Sequence, residues 1–283
     1  MSPLYTSVMY RFRPIHLHWL SIDVVTGALV SHLAANRMPS GSTPVNVWVT
    51  VILGLVVLGI YTLDHLLDNL RPEQPRTQRH AFIKEHESII WRVTISSLVL
   101  AAALSWLIPK ELWKFGIGMV LFAALYLWGV SRIPLKSHRQ ALKEPLTSLI
   151  YSAGVWGSTW FMGDDISWES ITLGIIFYLL TFQSLLLFSH FEAIKYKEVF
   201  NLARWLQRPA TLRVLKGITL VAVLTCLIVV FLTEYRYTQR LSIFLLVMSL
   251  IHEWMLRNPE KVVADERFRI AGELVFIIPV LVL

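Results

Sequence analysis

Long apolar runs separated by short polar stretches make up most of the chain. A helix that crosses a lipid bilayer needs about 20 predominantly apolar residues, and nine segments of roughly this length can be placed: 14–34, 45–66, 89–108, 112–131, 146–163, 168–191, 212–232, 239–256 and 268–283. Only short tails and loops remain between them. The pattern predicts an all-α polytopic membrane protein with nine transmembrane helices, which form a single domain over residues 1–283.

Composition supports this interpretation. Hydrophobic residues make up 55% of the 283 positions and charged residues 16%, whereas soluble domains carry about 25% charged residues. The first residues, Met1 to Tyr10, lack the basic stretch and the cleavage site of a signal peptide, so the first apolar segment is predicted to be a retained helix. The lone cysteine, Cys226, excludes an internal disulfide and a cysteine-based metal site.

The basic residues predict the orientation of the helices. Of the 26 lysines and arginines, 21 fall at one alternating set of helix ends and only five at the other. Because cytoplasmic loops are enriched in lysine and arginine, the N-terminus is predicted to lie in the cytoplasm. The net charge of +7 is then explained by topology and by attraction to anionic lipid, and no nucleic-acid partner is needed.

The two longest predicted cytoplasmic loops follow the second and the sixth predicted spans. Each loop continues into an amphipathic segment, 81–90 in the first case and 199–206 in the second. This spacing predicts two four-helix halves, at about 14–140 and 141–256, followed by a ninth helix.

Candidate chemistry lies at the start of the first of these loops. Asp64 and Asp68 are four residues apart, so their carboxylates share one face of a helix and require a cation between them. Such a pair suits Mg²⁺, which keeps several waters and is completed by substrate phosphate, and Arg79 and Lys84 follow as candidate phosphate ligands. The alternative is that Arg71 and Arg79 neutralise the pair and no ligand binds.

Glu192 occupies the corresponding position at the second loop, among lysines. It is predicted either to complete the site or to pair with Lys195 or Lys197. Further acidic residues lie toward the same cytoplasmic ends, where charges at membrane depth need a partner or a wet cavity: Asp23, Glu144, Glu253 and Glu273. Their convergence predicts a polar cavity open to the cytoplasm rather than a transport path, with Glu273 paired to Arg269 four residues before it.

These features together resemble the UbiA-type intramembrane prenyltransferase superfamily, whose members have nine transmembrane helices and two Asp-rich motifs, after helices 2 and 6. The segment Tyr61–Asp68 keeps the DxxxD part of the first motif, and Arg79–His86, Lys143–Glu144 and Arg269–Glu273 resemble a divergent bacterial branch. The second motif departs from the family, because Glu192 and Glu198 replace its aspartates.

The resemblance implies transfer of a prenyl group from an isoprenoid diphosphate to a small lipophilic acceptor of aromatic or quinone type, at the cytoplasmic face of a bacterial inner membrane. Mg²⁺ would be the cofactor, with membrane lipid around the protein. Asp64 and Asp68 would be catalytic, the same two residues with Glu192 would bind the metal, and the diphosphate ligands would be Arg79, Lys84, Lys143 and Lys195. Two alternatives stay open: an isoprenoid cyclase of the same fold, and a non-catalytic UbiA-fold protein that binds lipid or a partner.

Overall fold

The computed structural model describes residues 14–70, 78–134, 136–162, 166–195, 200–263 and 267–283. Regular secondary structure across these ranges is entirely helical. The α-helices are α1 (Pro14–Trp19), α2 (Ile22–Asn36), α3 (Val47–Asn69), α4 (Gln78–Glu85), α5 (Glu87–Leu104), α6 (Glu111–Arg132), α7 (Lys143–Met162), α8 (Trp168–Lys195), α9 (Leu202–Leu232), α10 (Arg236–Arg257), α11 (Pro259–Val262) and α12 (Arg267–Leu274). Short 3₁₀ helices cover Ser105–Leu107, His138–Leu142 and Val275–Val282.

Six of the helices in the described ranges are long and apolar enough to cross a membrane: α3, α5 with the turn that follows it, α6, α8, α9 and α10. The chain is therefore an integral membrane protein by helix length and composition. The remaining predicted spans are helical but shorter or more polar, and they correspond to α2, α7 and α12 with Val275–Val282. A count of nine spans and a cytoplasmic N-terminus stay predictions.

The polar character of α7 has a physical reason. Ser148, Ser152 and Ser158 are buried inside the protein, and Ser152 shares a hydrogen bond of 2.8 Å with Thr181 of α8. Hydroxyls that find partners in this way are tolerated in a buried helix. The composition of α7 therefore reflects packing against the neighbouring α8.

The first predicted span, 14–34, is wrong as one continuous helix. The chain breaks at Leu20 and Ser21 between α1 and α2, and Ser21 has a left-handed backbone with φ of 58°. The Ser21 hydroxyl is within 3.0 Å of Nε2 of His65 on α3. The break thus brings the start of α2 against the C-terminal part of α3.

The helices pack in a closed circuit. α2 contacts α3, α3 contacts α6, α6 contacts α7, and α7 contacts α8. α8 contacts α10, and the C-terminal Val275–Val282 lies between α10 and α2. An apolar core from α2, α7, α8, α9, α10 and Val275–Val282 fills the centre and includes Trp156, Phe177 and Phe276. The circuit brings the C-terminal ends of α3 and α8 close to the N-terminal ends of α7 and α12, and the division into two halves stays a prediction.

The two predicted amphipathic segments are helical but bounded differently. α4 ends at Glu85 and α5 begins at Glu87, so the helix breaks within 81–90, and Phe82 and Ile83 of α4 pack on Leu66 of α3. In the second segment, 199–206, α9 begins at Leu202 and continues through a kink at Gln207 into the predicted span 212–232. Val199 lies outside the described residues, as do Arg71, Lys197 and Glu198.

Candidate active site

The paired aspartates lie in the last turns of α3. Lys143, the first residue of α7, reaches between them: its Nζ is 3.8 Å from Oδ2 of Asp64 and 3.9 Å from Oδ2 of Asp68. The side chains of Asp64 and Asp68 are 25% and 10% exposed, and that of Lys143 is 35% exposed. The cation that the spacing of the aspartates requires is therefore present as a residue of the chain.

Arg79 of α4 borders the same site. Its Nη1 is 3.4 Å from Nδ1 of His65, a buried side chain that lies between the two aspartates on α3. Burial lowers the pKa of Arg79, and the positive charge of Arg269 acts in the same direction. The negative charges of Asp64, Asp68 and Glu192 raise the pKa of Arg79. Arg79 therefore interacts electrostatically with acids of both predicted motifs.

Glu192 has a different partner from those expected. Near the end of α8, it forms an ion pair with Arg269 of α12, in which a guanidinium nitrogen contacts Oε1. Arg269 therefore pairs across the bundle with α8, rather than along its own helix with Glu273. In the described ranges, no group of three or more histidine, cysteine, aspartate or glutamate side chains is arranged to hold a metal ion.

Glu144, next to Lys143, connects the start of α7 to the start of α9. Its Oε1 accepts a hydrogen bond of 3.1 Å from the backbone N–H of Leu202, the first residue of α9. Asn201 caps the same helix through Arg204 N–H at 3.1 Å and donates to the Ser189 carbonyl at 2.9 Å. These bonds fix the start of α7 against α8 and α9, and so they fix the base of the Lys143 side chain.

A second polar group extends the site toward α2. Oδ2 of Asp23 lies 2.6 Å from Nδ1 of His18. Glu273 of α12 is partly buried, and the charges of Asp23 and Arg269 both act on it. Tyr151 of α7 reaches the Val24 carbonyl at 3.4 Å. Acidic side chains and a phenol therefore continue from the charged cluster along α2, α7 and α12.

Two predicted phosphate ligands lie at the edge of this arrangement. Lys84 is exposed on α4, and Lys195 is exposed as the last residue of α8. The structure brings together Asp64, Asp68 and Lys143, with Arg79 beside them. Glu192 is instead paired with Arg269. Arg269 and His65 were missed as site residues from the sequence, although both are polar residues at predicted cytoplasmic helix ends.

The donor set fits one divalent cation at α3. Mg²⁺ is commonly held by one or two carboxylates, with water and substrate phosphate completing its six positions, and Asp64 and Asp68 supply such a pair. At α8, the carboxylate of Glu192 is in direct contact with Arg269, and its role as a metal ligand stays a prediction.

Comparisons with known proteins find a similar fold among solved structures. No family model and no curated protein matches the chain. Among solved structures, a UbiA homolog from Archaeoglobus fulgidus bound to DMAPP and Mg²⁺ matches with a TM-score of 0.61 at 14% identity, over 94% of this chain and 98% of that one. This agreement over nearly the whole length confirms the expected all-helical fold. The chain has the fold of the UbiA-type superfamily.

Proposed function

We propose that the chain is an intramembrane prenyltransferase that acts on an isoprenoid diphosphate. The observation that carries the proposal is the cluster of Asp64, Asp68, Lys143 and Arg79 at one end of a UbiA-type helix bundle. The homolog of the same fold is bound to DMAPP, an isoprenoid diphosphate, and to Mg²⁺, which supports the same ligand class here.

The proposed roles follow from the chemistry of the residues. Asp64 and Asp68 would hold Mg²⁺, which supplies positive charge to the departing diphosphate. Lys143 and Arg79 would donate charge-assisted hydrogen bonds to the phosphate oxygens. Fixed positive groups where negative charge develops stabilise a transition state. Lys84 and Lys195, which are exposed at the same end of the bundle, would attract the anionic substrate by long-range electrostatics without contacting it directly.

We propose that the prenyl chain binds, and the carbocation forms, in the apolar interior of the helix bundle. The prenyl chain would lie between the helices, and the allylic carbocation would be captured by an aromatic or quinone-type acceptor. Tyr61 and Tyr151 pack at the margin of the core, where aromatic faces can stabilise a passing cation. We place the site at the cytoplasmic face of a bacterial inner membrane, because the basic residues gather at that set of helix ends.

The test is release of diphosphate from labelled prenyl diphosphates of several chain lengths, with Mg²⁺ and purified protein. Asp64→Ala and Asp68→Ala should each lower the rate by about 100-fold or more, as expected for loss of charge stabilisation. Glu111→Ala removes an exposed acid at the other end of the bundle and should leave the rate unchanged. Release that survives both aspartate substitutions would contradict the metal assignment.

A non-catalytic binding protein is the second candidate, and the ion pair between Glu192 and Arg269 favours it. The pair engages Glu192, the acid of the second motif that lies within the described residues. This candidate predicts no diphosphate release for any chain length. A cyclase of the same fold would instead release diphosphate and form a hydrocarbon or alcohol without an acceptor, which product analysis would show.

A further inference from the structure

Lys143 occupies the place between two carboxylates where a divalent cation would bind. Asp64 and Asp68 are also the groups that act most strongly on its charge. An ammonium ion and a divalent cation cannot share this position, because like charges repel at a few ångströms in a partly buried site. Metal binding to the pair therefore requires that Lys143 moves away.

Lys143 is held only loosely between the two carboxylates. Its two N···O distances, 3.8 and 3.9 Å, exceed the 2.7–2.9 Å of a direct charge-assisted hydrogen bond. The side chain is 35% exposed, and a lysine ammonium on a four-carbon stem reorients readily. The ion pair of Glu192 with Arg269 is, by contrast, a direct contact. We therefore expect a metal ion to displace Lys143 from Asp64 and Asp68 more readily than it displaces Arg269 from Glu192.

The charge balance indicates what would move it. Three carboxylates, Asp64, Asp68 and Glu192, face three cations, Arg79, Lys143 and Arg269. With all six ionised, these side chains of the described residues carry no net charge together, so they offer no surplus charge to a metal ion or to a diphosphate alone. A metal ion and a diphosphate that enter together bring opposite charges. Asp64 and Asp68 would then hold the metal ion, and the ammonium group of Lys143 would contact the phosphate.

We propose that Lys143 is an internal counter-cation that keeps divalent metal out of the Asp64–Asp68 pair until a diphosphate enters, so that metal and diphosphate bind as a unit. This positioning role rests on the proposed function, because it assigns the diphosphate to the same site. Coupling of this kind is reciprocal: the diphosphate should raise the affinity for metal by the factor by which metal raises the affinity for diphosphate.

The experiment measures Mn²⁺ binding to the full chain in detergent by electron paramagnetic resonance, with and without inorganic diphosphate. The free wild-type protein should bind Mn²⁺ weakly, and Lys143→Met should bind it at least about ten-fold more tightly. Inorganic diphosphate should tighten Mn²⁺ binding to the wild-type protein and have a smaller effect on Lys143→Met. Lys143→Arg keeps the charge and should still exclude Mn²⁺ from the free protein.

Two further variants identify the site of binding. Lys110→Met removes an exposed lysine at the other end of the bundle and should behave as wild type. Adding Asp64→Asn and Asp68→Asn to Lys143→Met should abolish the gained Mn²⁺ binding. Equal Mn²⁺ affinity of the free wild-type and Lys143→Met proteins would overturn the inference, as would gained binding that survives loss of both aspartates. No prenyl substrate or turnover is involved, so a failure of the proposed reaction is detected separately.

Discussion

At the scale of single residues, the ion pair between Glu192 and Arg269 decides what the second motif can do. Replacing Arg269 by methionine leaves the Glu192 carboxylate without this cation in a partly buried site. Because an uncompensated charge costs more than a missing pair, we expect a loss of stability of about 1 kcal/mol or more. Thermal unfolding in detergent micelles measures it.

The matched variant for this prediction is the double substitution Arg269→Met with Glu192→Gln. It removes both charges and should recover part of the lost stability. Arg240→Met removes an exposed arginine of α10 and should change little. A double variant as unstable as Arg269→Met alone would show that Glu192 is not the group that Arg269 neutralises.

The sequence identified several of the charged residues of the site but did not predict which of them form ion pairs with each other. The spacing of Asp64 and Asp68 correctly indicated that a cation must lie between them, and Lys143 lies there. The identity of that cation could not be read from local spacing, since Lys143 belongs to a helix more than 70 residues away. Arg269 was expected to pair along its own helix, and tertiary packing gives it to Glu192 on α8 instead.

At the scale of elements, close packing around α8 limits what the helices tolerate. A Cβ added at Gly174 would lie 2.6 Å from Cζ2 of Trp160 and 2.8 Å from Cδ1 of Trp156. Both rings donate hydrogen bonds to Ser170 and are held in place. Gly174→Ala should therefore destabilise the protein by about 1–3 kcal/mol through overpacking, as measured by thermal unfolding.

Gly116 of α6 is the matched control for this prediction. A Cβ there would meet nothing within 4 Å, and alanine is a better helix former than glycine. Gly116→Ala should leave stability unchanged or slightly raised. If both substitutions cost the same, the tight contact between α7 and α8 is not the cause.

Helix bounds were predicted well where apolar length defines them, and poorly where the backbone bends. The predicted segments 112–131 and 168–191 correspond to α6 at Glu111–Arg132 and α8 at Trp168–Lys195. The break at Ser21 and the kink at Gln207 were not anticipated. Both residues have positive φ, 58° and 65°, a conformation for which glycine is the usual signal in a sequence.

At the scale of the whole molecule, the uneven distribution of basic residues predicts which ends face the cytoplasm. Lys110 and Arg139 are exposed in the connections at either end of α6. In a Cys226→Ala background, Lys110→Cys should react with a membrane-impermeant maleimide added to intact spheroplasts. Arg139→Cys should react only after lysis. The opposite labelling would reverse the predicted orientation.

The all-helical fold was the most predictable feature of the whole molecule, because the lengths of the apolar runs constrain many helices at once. The UbiA-type fold extends over 94% of the chain despite 14% identity to the homolog. The site is less predictable, because at this identity its side chains are free to differ within the same framework. The direct contact of Glu192 with Arg269 is the clearest feature of the site that the sequence did not predict.

The central claim is that the cluster on α3, α4 and α7 binds a prenyl diphosphate together with Mg²⁺. The most direct test is calorimetric titration of the purified protein with an unreactive prenyl thiolodiphosphate, with Mg²⁺ and with chelator. We expect binding that requires Mg²⁺ and is lost in the double variant Asp64→Ala with Asp68→Ala. Absence of binding across prenyl chain lengths, or binding that persists without Mg²⁺ and without both aspartates, would contradict the claim.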